Sequence, residues 1–287
     1  MNAPLCLLLL SLTAVQLNAA DRPGAPVDLG APSSLRTGTQ LREKREVRVQ
    51  EGKVRMQQSN STNDFFCRYL QRVNLVRRLL GGETEEVQVR EMVCELTNYN
   101  GTAPLPAEQP TPLVGKTLRL RKSDGKWKYT MIGGKPNGEQ QKFLNDLAFT
   151  TLMFEIPDAC LANQTRKPGE TWKVSINESR GNVHGAVVAE NIECSLVAVD
   201  ARPDGPQATI HLVGNFSMER PMNFLSRIEV AFDVTLVRRL SDMLDVDTKI
   251  TGRLKNIGLV NDQDGKAAQL TLDLPYTLVR TQVVEHK

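Results

Sequence analysis

Between 65 and 79 the odd positions Phe65, Cys67, Tyr69, Val73, Leu75 and Leu79 are mostly apolar, whereas the even ones include Arg68, Arg72, Asn74 and Arg78. A period of two over that length predicts a long strand with one dry and one wet face. Its partner is expected over 85–96, after a turn at Gly81-Gly82. A short strand pair is expected over 46–56 around Glu51-Gly52. A further hairpin is expected over 118–131 about Asp124-Gly125, a pair suited to left-handed turn conformations. Beyond Trp172 the alternation resumes over 192–199 and 208–213. Ile228, Val230, Phe232, Val234 and Leu236 then interleave with Glu229, Asp233 and Thr235. Val246, Thr248 and Ile250 alternate with Asp245, Asp247 and Lys249, which assigns both aspartates to the wet side. Ala268, Leu270, Leu272 and Leu274 close a meander with one dry face.

The period changes once. Phe143, Leu144, Leu147, Ala148 and Leu152 fall at helical spacing, Asn137 can cap the start, and Pro157 bars continuation, so a helix is predicted over 139–154. A sheet must cover its dry face, and this helix is the available partner. The expected fold is mainly β with one long helix (α+β): a curved antiparallel sheet or open barrel packed on an amphipathic helix. A two-sheet sandwich is the alternative. If the sheet is concave, Phe143, Leu147 and Leu152 on the helix and Trp172 on the following strand are the candidate residues for holding an apolar ligand.

Composition sets the compartment and the partners. The 287 residues carry 36 Lys plus Arg against 33 Asp plus Glu, a net charge of +3 too small to call for nucleic acid. Residues 1–20 have no charged side chain and hold the apolar run from Leu5 to Leu10, continued through Leu12, Ala14, Val15 and Leu17, before Ala19 and Ala20. This reads as a secretory signal cleaved near Ala20. The run is shorter than the roughly 20 residues of a membrane span. The chain after cleavage is therefore expected to be secreted or periplasmic, with no integral membrane span. Residues 21–40, with Pro23, Pro26 and Pro32, read as a flexible leader, and 41–287 as one β-rich domain, its two halves meeting near 157–171.

In an oxidising compartment Cys67, Cys94, Cys160 and Cys194 are expected to form disulfides. Three connectivities are open. Cys67 and Cys94 flank the Gly81-Gly82 turn almost symmetrically, which would leave Cys160 with Cys194. Matching Val73 and Leu75 to Val89 and Val87, however, puts Cys67 and Cys94 on opposite faces unless a bulge intervenes.

The loop Lys167-Pro168-Gly169-Glu170-Thr171-Trp172, after Pro157 and before a strand over 173–176, resembles that of a family of exported bacterial β-rich proteins of unknown function. There a Pro-containing loop ending in Gly, an acidic residue, any residue and Trp recurs between two β-rich halves. The resemblance covers 113–176. It implies a secreted or periplasmic protein with a curved sheet reminiscent of lipoprotein carriers, and it brings no catalytic residue. Physically, Pro168-Gly169 suits a tight turn and Trp172 a large buried anchor.

Signatures of known chemistry are missing: there is no G-x-S-x-G, H-E-x-x-H, phosphate-binding loop or C-x-x-C. His184, His211 and His286 are far apart in the chain and read as strand or tail residues. Asn261, Asp262, Asp264 and Gly265 resemble the middle of a calcium loop, but Val260 and Thr271 occupy its two essential ligand places, so no metal or cofactor is expected. Arg68, Arg72 and Arg78 would line one strand face as a strip for an anionic ligand, although Glu83, Glu85 and Glu86 can balance them. Three functional readings follow. The first is a non-enzymatic exported protein holding a lipid-like ligand in a concave sheet. The second is a structural protein meeting protein partners through sheet edges or the basic strip. The third is a hydrolase whose acids converge in a pocket.

Overall fold

The computed structural model describes residues 24–285 apart from 32, 59–60, 82, 100–108, 124–125, 183–184, 223–224 and 262–266. The expected signal segment, His184 and His286 lie outside these. The described residues are mostly strand, and among them one helix packs against a large antiparallel sheet that does not close into a barrel. In chain order the elements begin with β1 (Val27–Asp28), β2 (Gln40–Gln58), β3 (Ser61–Gly81), β4 (Thr84–Tyr99), β5 (Gln109–Pro110), β6 (Thr117–Ser123) and β7 (Lys126–Met131). The helix α1 (Gly138–Leu161) follows, then β8 (Thr165–Arg166), β9 (Thr171–Asn182), β10 (Gly185–Asp200) and β11 (Gln207–Met222). The last three are β12 (Leu225–Arg239), β13 (Leu244–Asn261) and β14 (Ala267–Glu285).

The large sheet runs β7-β6-β4-β3-β2-β14-β13-β12-β11-β10-β9, with β5 beside β4. Two meanders, one on each side of α1 in sequence, are thus joined where β2 pairs with β14. The sheet curls until its edge strands β7 and β9 approach within 8 Å without pairing, and α1 touches both. The helix thereby lies beside both edge strands of the sheet.

The strand pair expected around Glu51-Gly52 is instead one strand, β2, carrying a bulge. Val49 and Gly52 face Tyr69 and Cys67 on β3, while Val49 and Lys53 face Tyr276 and Asp273 on β14, so β2 has one residue more than either neighbour. The extra residue moves the dry positions from odd (Val47, Val49) to even (Gly52, Val54, Met56), a change of parity that imitates a turn in the sequence. Pro275, which cannot donate to a ladder, sits on β14 where pairing with β2 lapses.

Helix α1 starts where expected. Asn137 Oδ1 accepts from Gln140 N at 2.8 Å, and Gln140 Oε1 accepts from Asn137 N at 3.0 Å, a complete capping box. Asn137→Ala is expected to cost about 1 kcal/mol in urea unfolding. Pro157 does not stop the helix, contrary to expectation. The helix runs on to Leu161 because Ile156, Cys160 and Leu161 are buried, and their packing outweighs the roughly 3 kcal/mol penalty of an interior proline. The Pro-rich segment before β2 is pinned in its middle: β1 pairs with β8, and Leu29 is fully buried.

Two apolar clusters fill the concave side. One gathers Val73, Leu75, Val87, Val89 and Leu118 with Leu144 and Leu147 of α1. The other gathers the dry faces of β9–β14 around Met153, Phe154 and Leu161. No disulfide joins Cys67, Cys94, Cys160 and Cys194, which all stand as thiols. Cys94 lies opposite Gln71, four residues along β3 from Cys67, or about 13 Å at strand rise, and a disulfide needs Cα atoms within about 7 Å. A bulge at Arg90 does bring both to one face, since Asn74 pairs Glu91 and Leu75 pairs Val89, but too far apart to bond. Among the described residues, no helix is long and apolar enough to cross a membrane.

Candidate functional site

A cavity of about 300 Å³ lies between α1 and the concave face of the sheet. The helix contributes Lys142, Asp146, Phe149, Thr150 and Met153, which succeed one another at intervals of four, three, one and three and so form one stripe. Opposite them, Val47 and Val49 of β2, Val230 of β12, Leu254 of β13, and Leu274 and Leu278 of β14 supply an aliphatic wall. Alternation on each strand places these residues inward, and Val49 stands at the last paired position before the β2 bulge.

Four polar residues also line the interior, and each has a partner. Tyr276 Oη donates to the Ala231 carbonyl at 3.2 Å, and Thr150 Oγ1 to the Leu147 carbonyl at 3.0 Å. Gln71 Nε2 reaches Cys94 Sγ at 3.5 Å, and Tyr69 Oη lies 3.9 Å from the same sulfur. Burial pushes both phenols well above the ordinary tyrosine range, and it also raises the Cys94 and Cys67 thiols. At neutral pH all four therefore stay uncharged, and neither thiol has thiolate character for nucleophilic attack. The interior thus has apolar walls and polar groups already engaged.

At one end of the stripe Lys142 is exposed and Asp146 half-buried. Burial raises the Asp146 carboxyl, and the Lys142 ammonium draws it back down. Asp146 is the one carboxylate among the described residues of this wall. The convergence of several acids that a hydrolase would require is not found there.

The dry face also carries a belt of charge. Glu43 accepts from Arg45 and Arg77, and Arg77 forks onto Glu85 at 2.6 and 2.7 Å. Across β2, Arg280 lies 3.4 Å from Asp245, and Arg238 holds Asp245 at 2.6 and 3.1 Å while also reaching Asp158 of α1. The helix covers this belt: Arg45 donates to Thr151 at 2.9 Å, and the Phe154 ring lies under Arg280 at 4.7 Å and Arg45 at 5.7 Å. Asp245, expected on the wet side, is buried because an irregularity at Val246 reverses the parity: Val237 pairs Asp247 while Arg238 pairs Asp245. The belt divides the two apolar clusters and is bound up in structure rather than open to a ligand.

Of the residues singled out in the sequence, Leu147 is buried in the first cluster with Phe143 beside it. Trp172 is buried in the second, its ring 5.1 Å from the Arg166 guanidinium. None of these three is on the cavity wall, and the Leu152 side chain lies outside the described residues. Arg68, Arg72 and Arg78 share the wet face as expected, interleaved with acceptors. Arg68 donates to the Gln50 carbonyl at 3.1 Å, Arg72 lies 3.5 Å from Glu46, and Arg78 stands opposite Glu86. His211 is on the same outer side of the sheet, 2.8 Å from Asp233. Among the described residues no group of three or more His, Cys, Asp or Glu could hold a metal ion. The stripe Lys142, Asp146, Phe149 and Met153 went unread because its polar members mark a solvated face by ordinary rules, and only the sheet packed opposite turns that face into a cavity wall.

No protein-family model and no curated protein matches the sequence. Among solved structures, one of lipovitellin, concerned with lipid–protein interactions, aligns with 88% of this chain at 11% identity and a TM-score of 0.40. The aligned part is 25% of that chain, so this protein spans about a quarter of its length.

Proposed function

We propose that the protein is a non-enzymatic carrier or sensor that holds a lipid-like ligand in the cavity beneath α1. One observation carries this reading: a hollow of about 300 Å³ is bounded by apolar side chains and by Tyr69, Gln71, Thr150 and Tyr276, each with a partner within the protein, with Lys142 and Asp146 only at its mouth. That volume is at the lower end of ligand pockets, about 300–1,000 Å³. It is also twice the roughly 150 Å³ apolar cavity that stays dry and takes benzene. An apolar chain entering it sacrifices no hydrogen bond, while a polar ligand would find no interior partner. The uncharged, leucine-rich start of the sequence supports export, which would place the carrier outside the cytoplasm.

The reading is tested by native mass spectrometry of gently purified protein, followed by titration with dodecyl-chain ligands. A retained apolar molecule, or saturable binding of the dodecyl chain, is expected. Met153→Trp, which fills the cavity from the helix side, should weaken binding at least about tenfold, the equivalent of excluding about two methylenes. Empty protein, together with equal binding by the filled variant, would overturn the reading.

A further inference from the structure

The two ends of the helical stripe differ in kind. Inside, Tyr276, Thr150, Gln71 and Tyr69 are engaged with protein partners. At the mouth, Lys142 and Asp146 stand one helical turn apart, coupled by the pull of the ammonium on the carboxyl but, among the described residues, in no hydrogen bond. The mouth therefore offers one strong donor and one strong acceptor beside an apolar hollow.

From this juxtaposition we infer that the ligand is a single-chain lipid with an uncharged, hydroxyl-bearing head, of the monoacylglycerol or long-chain alcohol class. Its hydroxyl donates to the Asp146 carboxylate and accepts from the Lys142 ammonium. This identification rests on the cavity being the ligand site and goes beyond it by naming the head. A hydroxyl both donates and accepts, so it can satisfy both groups at once. A fatty-acid carboxylate would pair with Lys142 but be pressed against Asp146. A long-chain ammonium would pair with Asp146 but be pressed against Lys142. Both would lose hydration in a half-buried site for a single favourable contact, so the charge pattern selects against either ion. The position of Asp146 strengthens the case. It lies between the exposed Lys142 and the buried Thr150 on the cavity-facing stripe, where the head of a ligand whose tail fills the hollow would emerge.

Three probes with the same tail separate the possibilities: monododecanoylglycerol, dodecanoate and dodecylammonium, each titrated into the full chain by calorimetry at neutral pH. The wild type should bind monododecanoylglycerol about tenfold more tightly than either ion. Asp146→Lys should reverse the order in favour of dodecanoate, and Lys142→Glu in favour of dodecylammonium. Lys142 is exposed, so the second variant keeps the test alive should the first fail to fold. Equal binding of all three by the wild type, or an order unmoved in both variants, would overturn the head assignment and leave the apolar cavity as a binding site. Failure of all three to bind would overturn both.

Discussion

Gly252→Ala is expected to destabilise the protein by about 3 kcal/mol, at the upper end of the overpacking range, and to weaken the dodecyl-chain binding proposed for the cavity. A Cβ built on Gly252 would lie 2.0 Å from the Ala231 carbonyl oxygen and 2.8 Å from the Tyr276 hydroxyl. The first contact cannot be relieved by turning a side chain, because Ala231 is backbone of β12, held to β13 by unbroken pairing from Arg227↔Ile257 to Val237↔Asp247. The second contact explains why glycine stands here. Gly252 lies opposite Tyr276 across the β13–β14 pair and faces the same side, so the phenol can reach Ala231 only over a residue without a side chain. Tyr276 in turn forms part of the cavity wall, so displacing it reshapes the hollow. Thermal unfolding should show a fall of roughly 6–12 °C, scaling from about 2–4 °C per kcal/mol. Gly134→Ala is the control: nothing lies within 4 Å of its added Cβ, and it should change stability by less than about 0.5 kcal/mol. If Gly252→Ala unfolds like the control, the close approach of β12 and β13 described here is wrong.

Alternation of period two and a single stretch at helical spacing were enough to read a curved antiparallel sheet packed on one helix. What escaped were features that depend on parity or on neighbours distant in sequence. The bulges at Gln50-Glu51, Arg90 and Val246 each move a strand's dry face by one residue, and a single strand does not disclose that its neighbour lacks the matching residue. Glu43 and Arg45 occupy the same odd positions as Leu41, Val47 and Val49, yet a charged side chain at a dry position reads simply as weakened alternation until Arg77, Arg280 and Asp245 are seen beside it. The thiols illustrate the opposite limit. Even number and symmetric spacing favoured a bridge across the β3–β4 hairpin, and pairing register, which composition does not encode, keeps Cys67 and Cys94 apart. The cavity was legible only in part. The helix and the sheet that enclose it were expected, but the helix turns Phe149 and Met153 to the hollow and keeps Leu147 for the neighbouring core.

Glu43→Gln is expected to cost about 3–5 kcal/mol at neutral pH, a large fraction of the roughly 5–15 kcal/mol by which a domain is stable. Glu43 is fully buried, and burial alone would push its carboxyl upward. The guanidiniums of Arg45, Arg77 and Arg280 nevertheless hold it down at about 2, against an ordinary 4.5. A neutral amide keeps the shape but leaves Arg45 and Arg77 buried without the shared anion, and breaking a buried pair is costly for that reason. The sign of the pH dependence follows from the lowered folded value. The stabilisation due to Glu43 is complete above about 4.5 and is lost as the pH falls from there toward about 2, because the unfolded chain takes up the proton first. Urea unfolding of the wild type should therefore lose stability across that window, and Glu43→Gln, with no proton to take up at this site, should lose less. Replacing Glu43 and Arg45 together with Gln and Met should cost less than the sum of the two single changes, since each single change strands the other's charge. Equal stability of Glu43→Gln and wild type at neutral pH would mean that the belt does not hold the two apolar clusters in place. The curl of the sheet around α1 would then rest on apolar packing alone.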